Sequence, residues 1–121
     1  MRMNATSALP QITTTPLATM RGGWFVGAFT PTLAASPFAE MAVKYYRAGD
    51  TEPRHVHRIA TEYTVVTAGC VEMNGVRYET GTIVCVPPGC ATDFRALTDT
   101  CTAVVKLPSV AGDKYPVPSH A

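Results

Sequence analysis

Ten prolines and nine glycines are spread along the 121 residues of this chain, and they leave no room for long helices. Between them the chain is dominated by side chains that branch at Cβ. There are 17 Thr, 13 Val and 3 Ile against only 5 Leu. Two heavy atoms on Cβ restrict χ1 and suit a pleated, half-buried surface better than a helix. The pattern specifies short strands separated by turns. The fold class read from the residues is all-β, a jelly roll or small barrel whose mouth can hold one ligand.

The turn residues divide the chain into segments. Strands are expected at 24–29, 40–47, 54–58, 61–67, 70–73, 76–79, 82–86, 91–97 and 101–107. Asn74-Gly75 between two of them is a signal for a two-residue hairpin. Residues 1–20 are rich in Thr, Ala and Ser and read as a flexible N-terminal arm able to dock on a neighbouring subunit. A single barrel is expected over 21–108. A C-terminal tail over 109–121, with Pro116 and Pro118, is expected to lie on the surface.

Composition narrows the function. The formal charge is +1 and charged residues make up 16% of the chain. With no basic run, nucleic acid is not the expected partner. No stretch approaches the roughly 18 apolar residues that span a bilayer, so no membrane partner is expected. No continuous apolar stretch follows Arg2, so no secretory signal is read. The four cysteines, at 70, 85, 90 and 101, form no C-x-x-C pair, which argues against a structural zinc site. They are read as reduced, buried thiols of a cytoplasmic protein.

Two of the three histidines are His55 and His57. On a strand, alternate residues share a face, so the two imidazoles stand side by side. That arrangement suits two neighbouring ligands of a divalent metal. Glu62 opens the next strand, and an adjacent antiparallel strand brings its carboxylate to the same pocket. Two His and one carboxylate form an open, reactive ligand set. The ordinary alternative is a pair of exposed strand histidines between Arg54 and Arg58, with Glu62 paired to Arg58. The third histidine, His120, lies in the proline-rich tail and is assigned no role.

Gly49, His55, His57, Glu62 and Gly69 also fall as G-x5-H-x-H-x4-E-x6-G, which resembles the first motif of the cupins. Five fixed residues at fixed spacing arise by chance in such a chain with odds on the order of 10⁻⁵. Gly81 to Gly89 (GTIVCVPPG) is similar to the start of the second cupin motif. The resemblance covers residues 43 to 106. It implies a double-stranded β-helix with a metal held inside the barrel by His55, His57 and Glu62, and it suggests a homodimer. The metal is expected to be Fe, Mn, Zn or Ni, and Glu62 is the candidate for a catalytic role. The G-W-F start and the P-P-G-C-A-T-D-F segment resemble short cupins of carbohydrate-related pathways.

One position departs from the family pattern. Where the second motif usually carries a His as fourth ligand, this chain has Thr92. Either the metal keeps three protein ligands and water, or Asp93 or Cys90 completes the set, or no metal is bound. Asp93 has the opposite strand parity to Thr92, whereas Cys90 shares it but lies in the turn after Pro88. Tyr45, Tyr46, Arg47, Tyr63, Arg77, Phe94 and Arg95 are candidate pocket residues, about half of them facing inward. An inward Arg would favour an anionic or polyol ligand. Trp24 and Phe25 are expected to pack the core or an interface. The functional expectation is a metal-dependent enzyme, of isomerase or oxygenase type, acting on a small polar and carbohydrate-like molecule. The alternative is a non-catalytic ligand-binding module with a structural metal or none, or a metal-free dimeric scaffold.

Overall fold

The structure is a computed structural model that describes residues 9–118. Two short 3-10 turns, Leu17–Thr19 and Arg21–Gly23, precede ten strands. These are β1 (Trp24–Val26), β2 (Glu40–Tyr46), β3 (Thr51–Val56), β4 (Thr61–Ala68), β5 (Cys70–Met73), β6 (Val76–Glu79), β7 (Ile83–Val86), β8 (Thr92–Ala96), β9 (Thr100–Leu107) and β10 (Tyr115–Pro116). They form two five-stranded sheets with orders β1-β2-β9-β4-β7 and β10-β3-β8-β5-β6. Every named pairing is antiparallel. The chain crosses between the sheets in the jelly-roll manner, and the fold is the all-β double-stranded β-helix that the motifs imply.

The core lies at the closed end, where Val66, Val71, Met73, Val86, Phe94 and Ala96 pack between the sheets. Val66 and Val71 are wholly buried, each contributing roughly 1.5–3 kcal/mol by removal from water. Polar residues replace apolar ones towards the other end, so the barrel interior changes from packed core to lined cavity.

Two turns explain how the strands stay in register. Asn74 and Gly75 both adopt positive φ, 51° and 78°, as a two-residue hairpin requires. At Gly69, φ is +84° and an added Cβ would lie 2.3 Å from the Asp99 carbonyl oxygen. Only glycine lets the β4–β5 connection pass that close to the turn before β9.

The ends of the chain differ from the sequence expectation. β1 stops at Val26, and its parallel bridge to Ala34 ties down the following loop. The segment after Pro108 is only partly superficial. Ser109 and Asp113 are buried, and β10 extends the second sheet by pairing Tyr115 with Val56 and Pro116 with His55. The start of the expected arm (1–8) and His120 lie outside the described residues. Among the described residues no helix is long and apolar enough to cross a membrane.

Candidate metal centre

His55 lies near the end of β3, and His57 follows one residue beyond it. Their rings meet edge to face with centroids 5.0 Å apart. Alternation thus places both on the inner face, although a bulge between Glu52 and His55 interrupts the β3–β8 register. Glu62 arrives differently from expectation. β3 and β4 belong to opposite sheets, so its carboxylate reaches across the barrel rather than along a strand ladder. A ligand atom from each of the three lies within 4.8 Å of the others.

The second nitrogen of each imidazole is committed to backbone. His55 Nδ1 bonds the Pro53 carbonyl at 2.9 Å, and His57 Nδ1 bonds the Asp113 carbonyl at 2.5 Å. A carbonyl only accepts, so Nδ1 carries the proton in both rings, and Nε2 in the neutral form offers a lone pair. Metal-ligating histidines are oriented in this way by the partner of their other nitrogen.

His57 shows why a cation fits here. The residue is 4% exposed, and its Nε2 is buried with no hydrogen-bond partner among the described residues. Glu62 Oε1 lies 3.3 Å from it, outside hydrogen-bond geometry. A buried acceptor facing a carboxylate is costly unless something positive joins them. Two atoms 3.3 Å apart subtend about 100° at a metal ~2.1 Å from each, an angle that neighbouring ligands commonly span. The residues present therefore fit a divalent ion.

Charge states favour the same use. Burial, first, and then the Lys114 and His57 charges hold His55 below its ordinary pKa, which favours the neutral ring. Burial pushes Glu62 up, but the adjacent His57 ring, the hydrogen bond from Thr64 and the Lys106 charge outweigh it, leaving the carboxyl below its usual range. Thr64 Oγ1 donates to Glu62 Oε2 at 2.8 Å. Glu62 is thus ionised at neutral pH.

Thr92 occupies the place that the fourth histidine would take. It is 9% exposed, stands opposite His55 in the β3–β8 register and lines the cavity. Asp93 points elsewhere, since its Oδ1 accepts the Asn74 N–H at 2.7 Å. Cys90 is exposed in the turn.

The cavity above these residues has a volume of about 110 Å³, a space for a small molecule rather than a polymer. Of the candidate lining residues, Tyr46 and Phe94 face it and Tyr45, Arg47, Tyr63, Arg77 and Arg95 do not. Tyr46 packs on Phe94 with ring centroids 4.5 Å apart and donates its hydroxyl proton to Glu52. Trp24 lines the cavity instead of serving only as packing. The sequence reading missed Lys44, Lys106 and Lys114, which take the place of the expected inward Arg. Strand parity signals the first two, because Lys44 alternates with buried Ala42 and Lys106 with buried Val104.

Neither a family model nor a curated protein matches the sequence. Solved structures match the fold. A protein from Klebsiella pneumoniae subsp. pneumoniae MGH 78578 with a double-stranded β-helix domain has a TM-score of 0.61 at 20% identity, covering 69% of this chain and 78% of that one. An RmlC-like cupin protein from Desulfovibrio desulfuricans has a TM-score of 0.57 at 25% identity, covering 62% of this chain and 76% of that one. The fold is that of a small cupin. The DMSP lyase DddQ from Ruegeria pomeroyi DSS-3 shares it, with a TM-score of 0.66 at 22% identity, covering 81% of this chain and 52% of that one. This chain therefore spans about half the length of that enzyme. Within the cupin fold, the motif glycines Gly49, Gly69, Gly81 and Gly89 all sit at positive φ.

Proposed function

We propose that the protein is a metal-dependent enzyme acting on a small polar molecule. His55, His57 and Glu62 would hold one divalent cation inside the barrel, beside the cavity. The observation that supports this most is His57 Nε2, buried without a partner beside the Glu62 carboxylate. A bound metal of this kind polarises a substrate oxygen or lowers the pKa of water. The chain's own residues supply the rest. Met73, Phe94 and Val104 supply apolar lining from both sheets. The Tyr46 hydroxyl, bonded to Glu52, adds a polar group to the lining. The similarity in fold to a DMSP lyase is compatible with catalysis and does not specify the reaction.

The deciding experiment is metal analysis of protein purified without an affinity tag, beside His55→Ala and His57→Ala. About one equivalent in the parent and none in either folded variant supports the reading. Unchanged metal content in both variants refutes it. Iron directs the next assay to oxygen consumption, whereas zinc or manganese directs it to isomerisation and hydrolysis.

Thr92 favours a second reading, because a site without the fourth histidine is open to a binding role with no turnover. Substrate screening by NMR separates the two, since a pure binding module shifts ligand signals without forming product.

We also propose a second copy of the chain as protein partner. The outer face of the first sheet presents Met41, Val43 and Tyr45 on β2, Cys101 to Leu107 at alternate positions on β9, Tyr63 and Val65 on β4, and Ile83 and Cys85 on β7. Among the described residues no charged side chain stands at these positions. Three strands of seven or eight residues and one of four cover on the order of 430 Å². A stable dimer buries about 800 Å² per partner.

A further inference from the structure

We propose that the ligand of the cavity is a small organic acid whose carboxylate is held at the mouth by Lys44, Lys106 and Lys114. This rests on the reading above that the cavity is a small-molecule site, and adds the class of molecule.

Three ammonium groups and two carboxylates line the cavity. Both carboxylates are already engaged, Glu52 by the Tyr46 hydroxyl and Glu62 by Thr64 beside His57. Lys106 has Glu40 as a partner at 3.4 Å. Among the described residues no carboxylate lies within salt-bridge distance of Lys44 or Lys114. Lys44 donates to the Gly22 carbonyl at 2.9 Å, a neutral acceptor. Lys44 and Lys114 are therefore left without a directly paired counter-charge, although Glu40, Glu52 and Glu62 together balance the three ammonium groups.

The arrangement also brings these charges together. Lys44 on β2 and Lys106 on β9 both approach the Trp24 ring, at 5.3 and 4.9 Å from its centroid. Two like charges at one ring repel each other, and burial removes part of their water. Burial, first, and the neighbouring Lys114 and Lys106 charges draw Lys44 below its ordinary pKa even though Glu52 and Glu62 oppose this. An anion seated between them relieves both costs. A second recess shares Trp24, Lys106 and Lys114 and adds Arg21, with Glu40 and Asp113 as its carboxylates.

A carboxylate is favoured over a larger anion by the confined space of about 110 Å³. The inner wall of Thr64, Thr92 and Thr102 offers hydroxyl groups to the uncharged end of such a molecule.

The test measures binding by calorimetry to metal-free and metal-loaded protein. The probes are glycolate, malonate and succinate, each beside its neutral amide, and inorganic phosphate. At least one carboxylate is expected to bind the metal-free protein about tenfold or more tightly than its amide, equivalent to about 1.4 kcal/mol. Lys44→Met and the exposed Lys114→Met should each abolish most of that preference, so that acid and amide bind nearly alike. His55→Ala should remove only the further gain that metal loading brings. A protein that binds no metal yet prefers carboxylates keeps this inference and loses the metal reading. Equal binding of acids and amides, lysine variants that bind like the parent, or tighter binding of phosphate than of any carboxylate overturns it. So does the absence of binding by every acid.

Discussion

Asp113 holds His57 through its main chain and the neighbouring loop through its side chain. Its carbonyl accepts the His57 Nδ1–H at 2.5 Å. Its carboxylate accepts the backbone N–H groups of Arg58, Ile59 and Ala60 at 2.8 to 3.2 Å. One residue from the C-terminal segment therefore fixes both a candidate ligand and the turn that leads to Glu62. Burial, first, opposes ionisation of Asp113, but these three N–H groups and the His57 charge outweigh it and hold its carboxyl below the usual range.

Asp113→Ala leaves three N–H donors without their acceptor. It is expected to destabilise the fold by about 2–3 kcal/mol, as loss of hydrogen bonds to a buried charge does. It should also weaken metal binding by up to about tenfold, because the carbonyl that orients His57 remains but its segment loses the side-chain anchor. Urea unfolding and competition with a chelator measure the two effects. Parent-like values in both assays would show that the loop and His57 are held without the carboxylate.

Thr92→His adds an imidazole opposite His55, in the place where the cupin pattern has one. Its side chain enters the cavity, because Thr92 itself is buried there. Metal retention is expected to rise about tenfold or more, about 1.4 kcal/mol. A chelator titration that shows no gain would mean that position 92 does not reach the metal.

Local periodicity made part of this site legible, and long-range topology hid the rest. His55 and His57 are two residues apart, so alternation alone predicts their shared face. Glu62 was identifiable as a third member, but its route was not. Sequence proximity suggests a paired neighbouring strand, whereas the jelly roll sends β4 to the opposite sheet. Lys44 and Lys106 meet because β2 pairs with β9 across some sixty intervening residues, a pairing that no local pattern announces. Asp113 was illegible for a related reason. A proline-rich segment without period reads as surface tail, and only the folded return of the chain shows it plugging a loop.

Tyr46 provides a pH-dependent prediction for the metal-free protein. Burial, first, and the hydrogen bond to Glu52 push its hydroxyl well above the ordinary value of 10.0. The folded state thus holds this proton more tightly than the unfolded chain. The resulting stability is fully present below about pH 10 and is lost as pH rises beyond it. Tyr46→Phe should flatten that alkaline decline. Up to the onset of unfolding, parent and variant should also show the same rise in tyrosinate absorbance. A larger rise in the parent would show Tyr46 ionising while folded.

The uncharged outer sheet face predicts how the molecule associates. Tyr63 is 38% exposed and stands between Val105 on β9 and Cys85 on β7. A charge placed there interrupts the face without disturbing the core behind it, because inward neighbours Glu62 and Thr64 keep their contacts. The parent should run as a dimer in sedimentation equilibrium, and Tyr63→Lys should shift it to monomer with little change in unfolding midpoint extrapolated to low concentration. Desolvating an unpaired ammonium in an apolar contact costs several kcal/mol, enough to dissociate a dimer of ordinary affinity. Parent protein that stays monomeric at every concentration would show that the face is left bare. A dimer unaffected by Tyr63→Lys would place the contact on another surface.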